Sequence, residues 1–344
     1  MRTLLRIATG VAAATAAALL TAGPVAACGG LVAPNGTVRL LRTSTLAAYT
    51  GGIEHYVTSF QFAGGGAEFG SIVPLPGVPT SVERGGDWTL QRLQRETQPQ
   101  REVFALDAAA GAPAMKAEVL LEKRIDALDL TVLRGGGAAV GDWAREHGFQ
   151  LTPDAPEVLD FYAKRSPVFL AARFDADAAR SRGQEVGDGT PIHLTIPTER
   201  PWVPIRILAL GRGPAESVDA DVYLLTDQRP NLLTGPGLDL VRSEPASVAL
   251  LDDLRSDKGM GWVPASMHLT YLRVDGAAGE LNHDLAIAPD GGRPSGFDFD
   301  RTNAPAAHTP DPATRSSHRW PLWPALALSC AAAVGVAIVL ARQS

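Results

Sequence analysis

The fold is decided by the stretch Ile53-Glu54-His55-Tyr56-Val57-Thr58-Ser59-Phe60-Gln61-Phe62. Its even-numbered side includes Tyr56, Phe60 and Phe62, and its odd-numbered side is more polar. A period of two is typical of a β-strand, and we expect the aromatic side to be the buried one. Residues 38–49, rich in Val, Leu and Thr, come before the pair Gly51-Gly52. The two segments therefore predict a hairpin around a glycine turn.

Similar patterns extend along the chain from this hairpin. Further strands are predicted at residues 69–75, 117–125, 128–133, 168–174, 192–196, 203–210 and 218–226, with a last hairpin of 267–274 and 281–288. Short helices are predicted at residues 88–95, with Asp87 as the cap, and at 140–147, 157–164 and 247–254. This order predicts an α+β fold, with a mainly antiparallel or mixed sheet and a few short helices. The body is assigned to residues 28–290, as one domain or as two subdomains that divide near 229–245.

Composition limits the classes of partner. The 344 residues are 45% hydrophobic and 20% charged, which is typical of a globular protein, and the formal net charge is -6. An acidic chain repels polyanions, so nucleic acid is excluded as a main partner. The two cysteines, Cys28 and Cys330, lie in the two terminal segments, and we expect no disulfide between them.

The first 27 residues have the three parts of a secretory signal. Arg2 and Arg6 supply the positive charge, residues 7–20 form an apolar run, and Pro24-Val25-Ala26-Ala27 presents small residues before Cys28. Residues 25–28 also fit a lipobox, so Cys28 is a candidate for thioether lipidation as well as the predicted first residue of the mature chain. For residues 1–27 the alternative to a secretory signal is a short buried helix.

The C-terminal residues predict a membrane anchor. Residues 320–341 contain no charge, Trp320 and Trp323 stand where an interfacial belt is expected, and Arg342 follows. We interpret 320–341 as a single transmembrane helix, 342–344 as a cytoplasmic tail, and the Pro- and Gly-rich 291–319 as a stalk. The chain is therefore predicted to lie in the cell membrane with its body outside the cytoplasm. A buried core helix is the alternative for the apolar run.

No motif of known chemistry stands out between these ends. The histidines form no His-x-x-x-His pattern, no Gly-x-Ser-x-Gly elbow is present, and the triplets 64–66 and 135–137 lack the Lys-Ser/Thr of a phosphate loop. The sequence therefore predicts no catalytic residue, no metal ligand and no cofactor. Trp202, between Pro201 and Pro204, is a candidate recognition surface, with a core tryptophan as the alternative.

Several motifs carry a family resemblance. They are Ala27-Cys28-Gly29-Gly30, Phe69-Gly70-Ser71-Ile72-Val73-Pro74-Leu75-Pro76, Leu130-Thr131-Val132-Leu133 with Trp143, Gly148-Phe149 and Leu159-Asp160-Phe161-Tyr162, and Pro201-Trp202-Val203-Pro204-Ile205-Arg206-Ile207. In this order, over about residues 28–228, the chain resembles the bacterial family called domain of unknown function 2330. The resemblance implies an exported, often membrane-tethered α+β protein and implies no activity.

The sequence thus leaves three functional hypotheses. The first is a non-enzymatic interaction or structural domain of the cell envelope, with the membrane and other envelope proteins as partners. The second is an envelope hydrolase whose active site is dispersed along the chain. The third is an accessory or sensor subunit of a membrane complex.

Overall fold

The computed structural model describes residues 30–32, 39–63, 69–97, 117–183 and 189–294. Within these ranges the strands are β1 (Gly30–Val32), β2 (Arg39–Thr50), β3 (Ile53–Ala63), β4 (Phe69–Pro74), β5 (Ser81–Arg84), β6 (Glu118–Ile125), β7 (Leu128–Arg134), β8 (Val168–Phe174), β9 (Ile192–Pro197), β10 (Trp202–Val203), β11 (Ser217–Thr226), β12 (Asn231–Leu233), β13 (Leu238–Pro245), β14 (His268–Ala277) and β15 (Leu285–Ala288). The α-helices are α1 (Thr89–Thr97), α2 (Gly137–Glu146), α3 (Ala155–Ala163), α4 (Ala176–Ser181) and α5 (Val248–Ser256). The α+β prediction is confirmed.

The described strands form three sheets. The largest has the order β13-β14-β11-β2-β3-β9-β5 and is antiparallel except between β11 and β2. A five-stranded antiparallel sheet has the order β1-β4-β8-β7-β6, and a small sheet has the order β10-β15-β12. The predicted hairpin of β2 and β3 is confirmed, with both turn glycines at positive φ.

The large sheet is buried on both faces. Ala47 and Tyr56 belong to a core that also holds side chains of the five-stranded and small sheets. Leu46 and Val57, one residue along each strand, belong to a second core formed with α1, α5 and residues 260–267. Glu54, Tyr56 and Thr58, on the side of β3 that was predicted to be buried, are therefore buried, but Val57 on the opposite side is buried too, because helices cover it.

A carboxylate on α5 holds the start of α1. Asp257, at the end of α5, accepts hydrogen bonds from the backbone N–H groups of Asp87 and Trp88 at 3.0 and 2.9 Å. It also accepts one from the Thr89 hydroxyl at 2.8 Å and one from the backbone N–H of Lys258 at 2.8 Å. The prediction that Asp87 caps this helix is wrong, because the helix begins at Thr89 and the carboxylate that accepts hydrogen bonds at its start is that of Asp257. The cap comes from a residue 170 positions away in the chain.

Two strand predictions are also wrong. Residues 203–210 are not one strand: Trp202–Val203 pairs with β15, and Arg206–Ala209 forms a 3-10 turn. Pro204 between them has no N–H with which to continue a ladder. The last hairpin does not form either, because β14 lies between β11 and β13 whereas β15 lies between β10 and β12.

Several predictions concern residues outside the described ranges: the signal, Cys28, the stalk beyond residue 294, the anchor at 320–341 and the tail. Within the described ranges, no helix is long and apolar enough to cross a membrane.

Candidate functional site

The described residues enclose a cleft of about 410 Å³ between α2 and the outer half of the five-stranded sheet. We call it the α2 cleft. It is lined by Glu122, Lys123, Arg124, Asp129, Leu130, Thr131, Trp143, His147, Phe149, Ala171 and Arg173. Its volume lies in the range of small-molecule sites, which join apolar walls to a few placed polar groups.

Strand register arranges the floor of the α2 cleft in two rows. One row runs Arg124–Asp129–Arg173 across β6, β7 and β8. The other runs Glu122–Thr131–Ala171 across the same strands. Cross-strand partners lie on the same face of a sheet, so the first row is charged along its length and the second is mostly small and uncharged.

Aromatic residues at the end of α2 form the wall. The rings of Trp143 and His147 are stacked, with centroids 3.9 Å apart and planes at 15°. The spacing of four residues puts both on one side of the helix. Trp143 is buried, whereas His147 is exposed, and its Nδ1 donates to the Trp143 carbonyl oxygen at 2.8 Å. Phe149 is buried over Gly70, where a Cβ would lie 1.7 Å from its ring, so only glycine lets the wall pack on β4 at this point.

Ion pairs link the charged row into a chain. Asp129 accepts from Arg124 at 3.0 Å and from Arg173 at 3.1 Å, one guanidinium on each carboxylate oxygen. Arg124 also donates to Asp175 at 2.6 Å. The pKa of Asp175 is lowered first by a hydrogen bond from the backbone N–H of Ala178 and then by this bond from Arg124. Charges therefore alternate from Asp175 to Arg173. Arg173 lies in the cleft lining and Asp175 lies outside it.

A buried carboxyl group lies elsewhere, on β3. Glu54 has no exposed surface, and neither of its oxygens has a hydrogen-bond partner. Burial raises its pKa to about 8; the backbone N–H of Trp202 faces the group and partly offsets the rise, without reaching hydrogen-bonding geometry. At neutral pH this glutamate is therefore protonated in the folded protein.

Two histidines meet on the opposite face of the large sheet. Nδ1 of His55 and Nε2 of His193 are 2.9 Å apart, and the ring of Trp262 stacks on His55 with centroids 3.9 Å apart. Burial lowers the pKa of each histidine to about 4. The charge of His193 lowers the pKa of His55 further. Both imidazoles are therefore neutral near pH 7, and the cluster packs as part of the sheet.

Trp202, the surface candidate from the sequence, lies in the core. It is 3% exposed, and its ring stacks on Tyr162 with centroids 5.8 Å apart. The Tyr162 hydroxyl donates to buried Asp284 at 2.7 Å, and the same carboxylate oxygen accepts from the backbone N–H groups of Ile205 and Arg206. These contacts join α3 to the turn after β10, so this region packs as part of the interior.

One serine–histidine pair bears on the hydrolase hypothesis. The Ser243 hydroxyl lies 2.9 Å from Nε2 of His268, on neighbouring strands β13 and β14. Burial and the charge of Arg229 lower the pKa of His268, against a weaker opposite effect of Glu244. In the described part of the chain, no carboxylate hydrogen-bonds to Nδ1 of His268, and the pair does not line the α2 cleft. A base that no carboxylate orients is a poor activator of serine.

The described residues contain no candidate metal site, because no three of their His, Cys, Asp or Glu side chains converge as ligands. The residues of the α2 cleft were not predicted as a site. Two signals were available in the sequence. The spacing of Trp143 and His147 puts them on one side of a helix, and the alternation of Asp129 with Thr131 puts them on one face of a strand. Neither signal indicates that the helix packs against that face of the strand.

Comparison with known proteins identifies a family but no activity. The family model described as "Uncharacterized protein conserved in bacteria (DUF2330)" matches residues 23–233, and no curated protein matches the chain. Among solved structures, the crystal structure of baculovirus P35 matches with 10% sequence identity and a TM-score of 0.39, over 73% of this chain and 97% of that chain. A mutated baculovirus P35 after caspase cleavage matches with 9% identity and a TM-score of 0.37, over 72% and 97%. Likeness at this level supports no argument about this chain.

The family match covers more than half of the chain, includes β1 to β12, and contains every residue that lines the α2 cleft. The chain therefore belongs to the bacterial DUF2330 family.

Proposed function

We propose that this chain is an exported, membrane-anchored protein of the cell envelope that binds a ligand in the α2 cleft and has no enzymatic activity. The observation that supports a binding role is the cleft itself. It joins a stacked aromatic wall to a row of ion-paired charges in about 410 Å³. Side chains already held by ion pairs and stacking lose little conformational freedom when a ligand binds.

Export and anchoring are supported by the two ends of the sequence. The charged, apolar and small-residue parts of residues 1–27 occur in the order of a secretory signal. Residues 320–341 are long enough to span a bilayer and are followed by Arg342. Together they favour a body outside the cytoplasm and a mature chain that begins at Cys28.

The topology predicts where a fused reporter works. Alkaline phosphatase, which is active only outside the cytoplasm, is expected to be inactive when fused after Ser344 and active when inserted in the stalk, for example after Pro310. A cytoplasmic fluorescent protein should give the opposite pattern. Phosphatase activity after Ser344 would contradict the proposed orientation.

Filling the cleft should remove its occupant. Thr131 is the central residue of the row Glu122–Thr131–Ala171, and a Thr131→Trp side chain would take up the space above it. The full chain extracted from its own membrane is expected to show, by native mass spectrometry, a ligand-sized additional mass. This mass should be lost in the variant.

The matched control is Thr234→Trp, the same change at an exposed position after β12. It should keep the additional mass at the level of the unaltered chain. Identical spectra for the unaltered chain and Thr131→Trp would argue against ligand binding in the α2 cleft.

A further inference from the structure

The charges around the α2 cleft are balanced. Among the described residues, the lining and the aspartate paired with it carry as many negative as positive side chains: Glu122, Asp129 and Asp175 against Lys123, Arg124 and Arg173. An ion of either sign would therefore meet both attraction and repulsion in the cleft. It would give up its hydration for little net gain, because removing a charge from water is costly unless a partner compensates it. The balance favours an uncharged ligand.

The floor of the cleft holds two oxygen-bearing side chains open to a ligand. Glu122 on β6 is exposed, and in the part of the chain that the structure describes its carboxylate has no hydrogen bond or ion pair. Thr131 is its cross-strand partner on β7, so the two side chains stand on one face of the sheet, on strands about 4.8 Å apart. A carboxylate only accepts hydrogen bonds, at about four positions, whereas a hydroxyl both donates and accepts. A ligand with several hydroxyl donors along one edge matches this pair.

The wall of the cleft presents one flat face. Trp143 is buried, and the ring of His147 lies over it with centroids 3.9 Å apart, so the imidazole is the exposed layer of the stack. The face of an aromatic ring carries partial negative charge and attracts C–H groups, whose hydrogens are slightly positive. The wall therefore suits a ring with C–H groups on its face.

We infer that the α2 cleft binds a neutral sugar ring, with one C–H face of the ring on His147 and the hydroxyl groups of its edge on Glu122 and Thr131. This inference rests on the proposed function, since it names the ligand class of the same cleft. Neighbouring hydroxyls of a sugar can donate to the two oxygens of one carboxylate, and hydrogen bonds to an ionised acceptor are about twice as strong as neutral ones. A pyranose combines C–H faces, hydroxyl edges and the absence of charge, which are the three properties that the cleft selects.

Four simple sugars test the inference: the methyl β-glycosides of glucose, galactose, mannose and N-acetylglucosamine. Cyclohexanecarboxylate and cyclohexylammonium serve as charged rings without hydroxyls. Binding to the full chain in lipid nanodiscs is measured by titration with saturation-transfer NMR, with protein-free nanodiscs as the blank. We expect at least one glycoside to bind at least tenfold more tightly than either charged ring, with the strongest transfer to the C–H protons of one ring face.

Two variants separate the floor from the wall. Glu122→Gln replaces the charged acceptor by a neutral amide of the same size and should weaken binding of that glycoside about tenfold. His147→Ala removes the exposed face and should weaken it about threefold or more. Glu118→Gln is the matched control, because Glu118 lies on the same strand, is 62% exposed and stands outside the cleft lining. It should leave the affinity within about twofold of the unaltered chain.

Charged rings that bind as tightly as the glycosides, and lose this binding in Thr131→Trp, would overturn the sugar assignment and leave the cleft as a binding site. Absence of binding by all four glycosides would overturn the inference, as would binding that Glu122→Gln and His147→Ala leave unchanged. The proposed function is decided separately, by the mass lost in Thr131→Trp.

Discussion

Asp257→Ala is expected to lower the free energy of unfolding by about 4 kcal/mol. Asp257 is 4% exposed and accepts four hydrogen bonds, three of them from residues 87–89 at the start of α1. Alanine leaves the buried Thr89 hydroxyl and three partly buried N–H groups without this acceptor, and each orphaned donor costs about 1 kcal/mol. It also removes a negative charge from the N-terminus of a helix, where the helix dipole favours one. Urea unfolding followed by circular dichroism measures the loss.

Asp252→Ala is the control on the same helix. Asp252 has a side chain that is 61% exposed and forms one ion pair, with Arg255, so its replacement should change stability by less than about 0.5 kcal/mol. Asp257→Asn keeps one acceptor oxygen and should fall between the two. A loss below about 1 kcal/mol in Asp257→Ala would show that α1 does not depend on this cap.

Glu54→Gln is expected to make the protein more stable than the unaltered chain at pH 8, by about 4 kcal/mol. The folded protein holds the Glu54 proton up to about pH 8, whereas the unfolded chain releases it near pH 4.5. Folding must therefore take up a proton throughout that interval, and each pH unit costs about 1.4 kcal/mol. Glutamine has nearly the same shape and no proton to take up.

The sign of the effect depends on pH. The raised pKa of Glu54 gives stability that is present in full below about pH 4.5 and is lost as the pH rises to about 8. Below pH 4.5 the variant should be slightly less stable, because the glutamine amide is buried without partners at every pH. His55 and His193 act in the other direction: their lowered pKa values mean that stability is lost as the pH falls from 6.5 to about 4. Both proteins contain these histidines, so this contribution cancels in the difference.

The measurement is urea unfolding of both proteins at half-unit steps from pH 4.5 to 8.5. The difference between their free energies of unfolding should rise from pH 4.5 to about pH 8 and level off above it. Glu199→Gln makes the same chemical change at an exposed position and should give a flat difference. Parallel stability curves for Glu54→Gln and the unaltered chain would show that Glu54 is ionised in the folded protein.

The candidate site was less predictable than the elements that build it. Trp143 and Thr131 each lie in a segment whose helix or strand was predicted. None of these patterns indicates that α2 crosses the face of β7 and β8 that carries Asp129 and Arg173. Trp202 attracted attention because prolines surround it, but the same prolines only end a two-residue strand that packs in the core.

Local patterns by themselves determined the elements and the class of this protein. The alternation along β3, the glycine turn at Gly51-Gly52 and the helical spacing in α2 depend on neighbours within a few residues, so they can be interpreted without a structure. Partners and burial were decided only by the tertiary structure. β14 and β15 enter different sheets, Asp257 caps a helix 170 residues earlier in the chain, and Glu54 is buried as an acid on a strand whose two faces are both covered. The physical reason is that alternation defines the two faces of a strand, whereas the segments that cover those faces come from distant parts of the chain and are selected by packing.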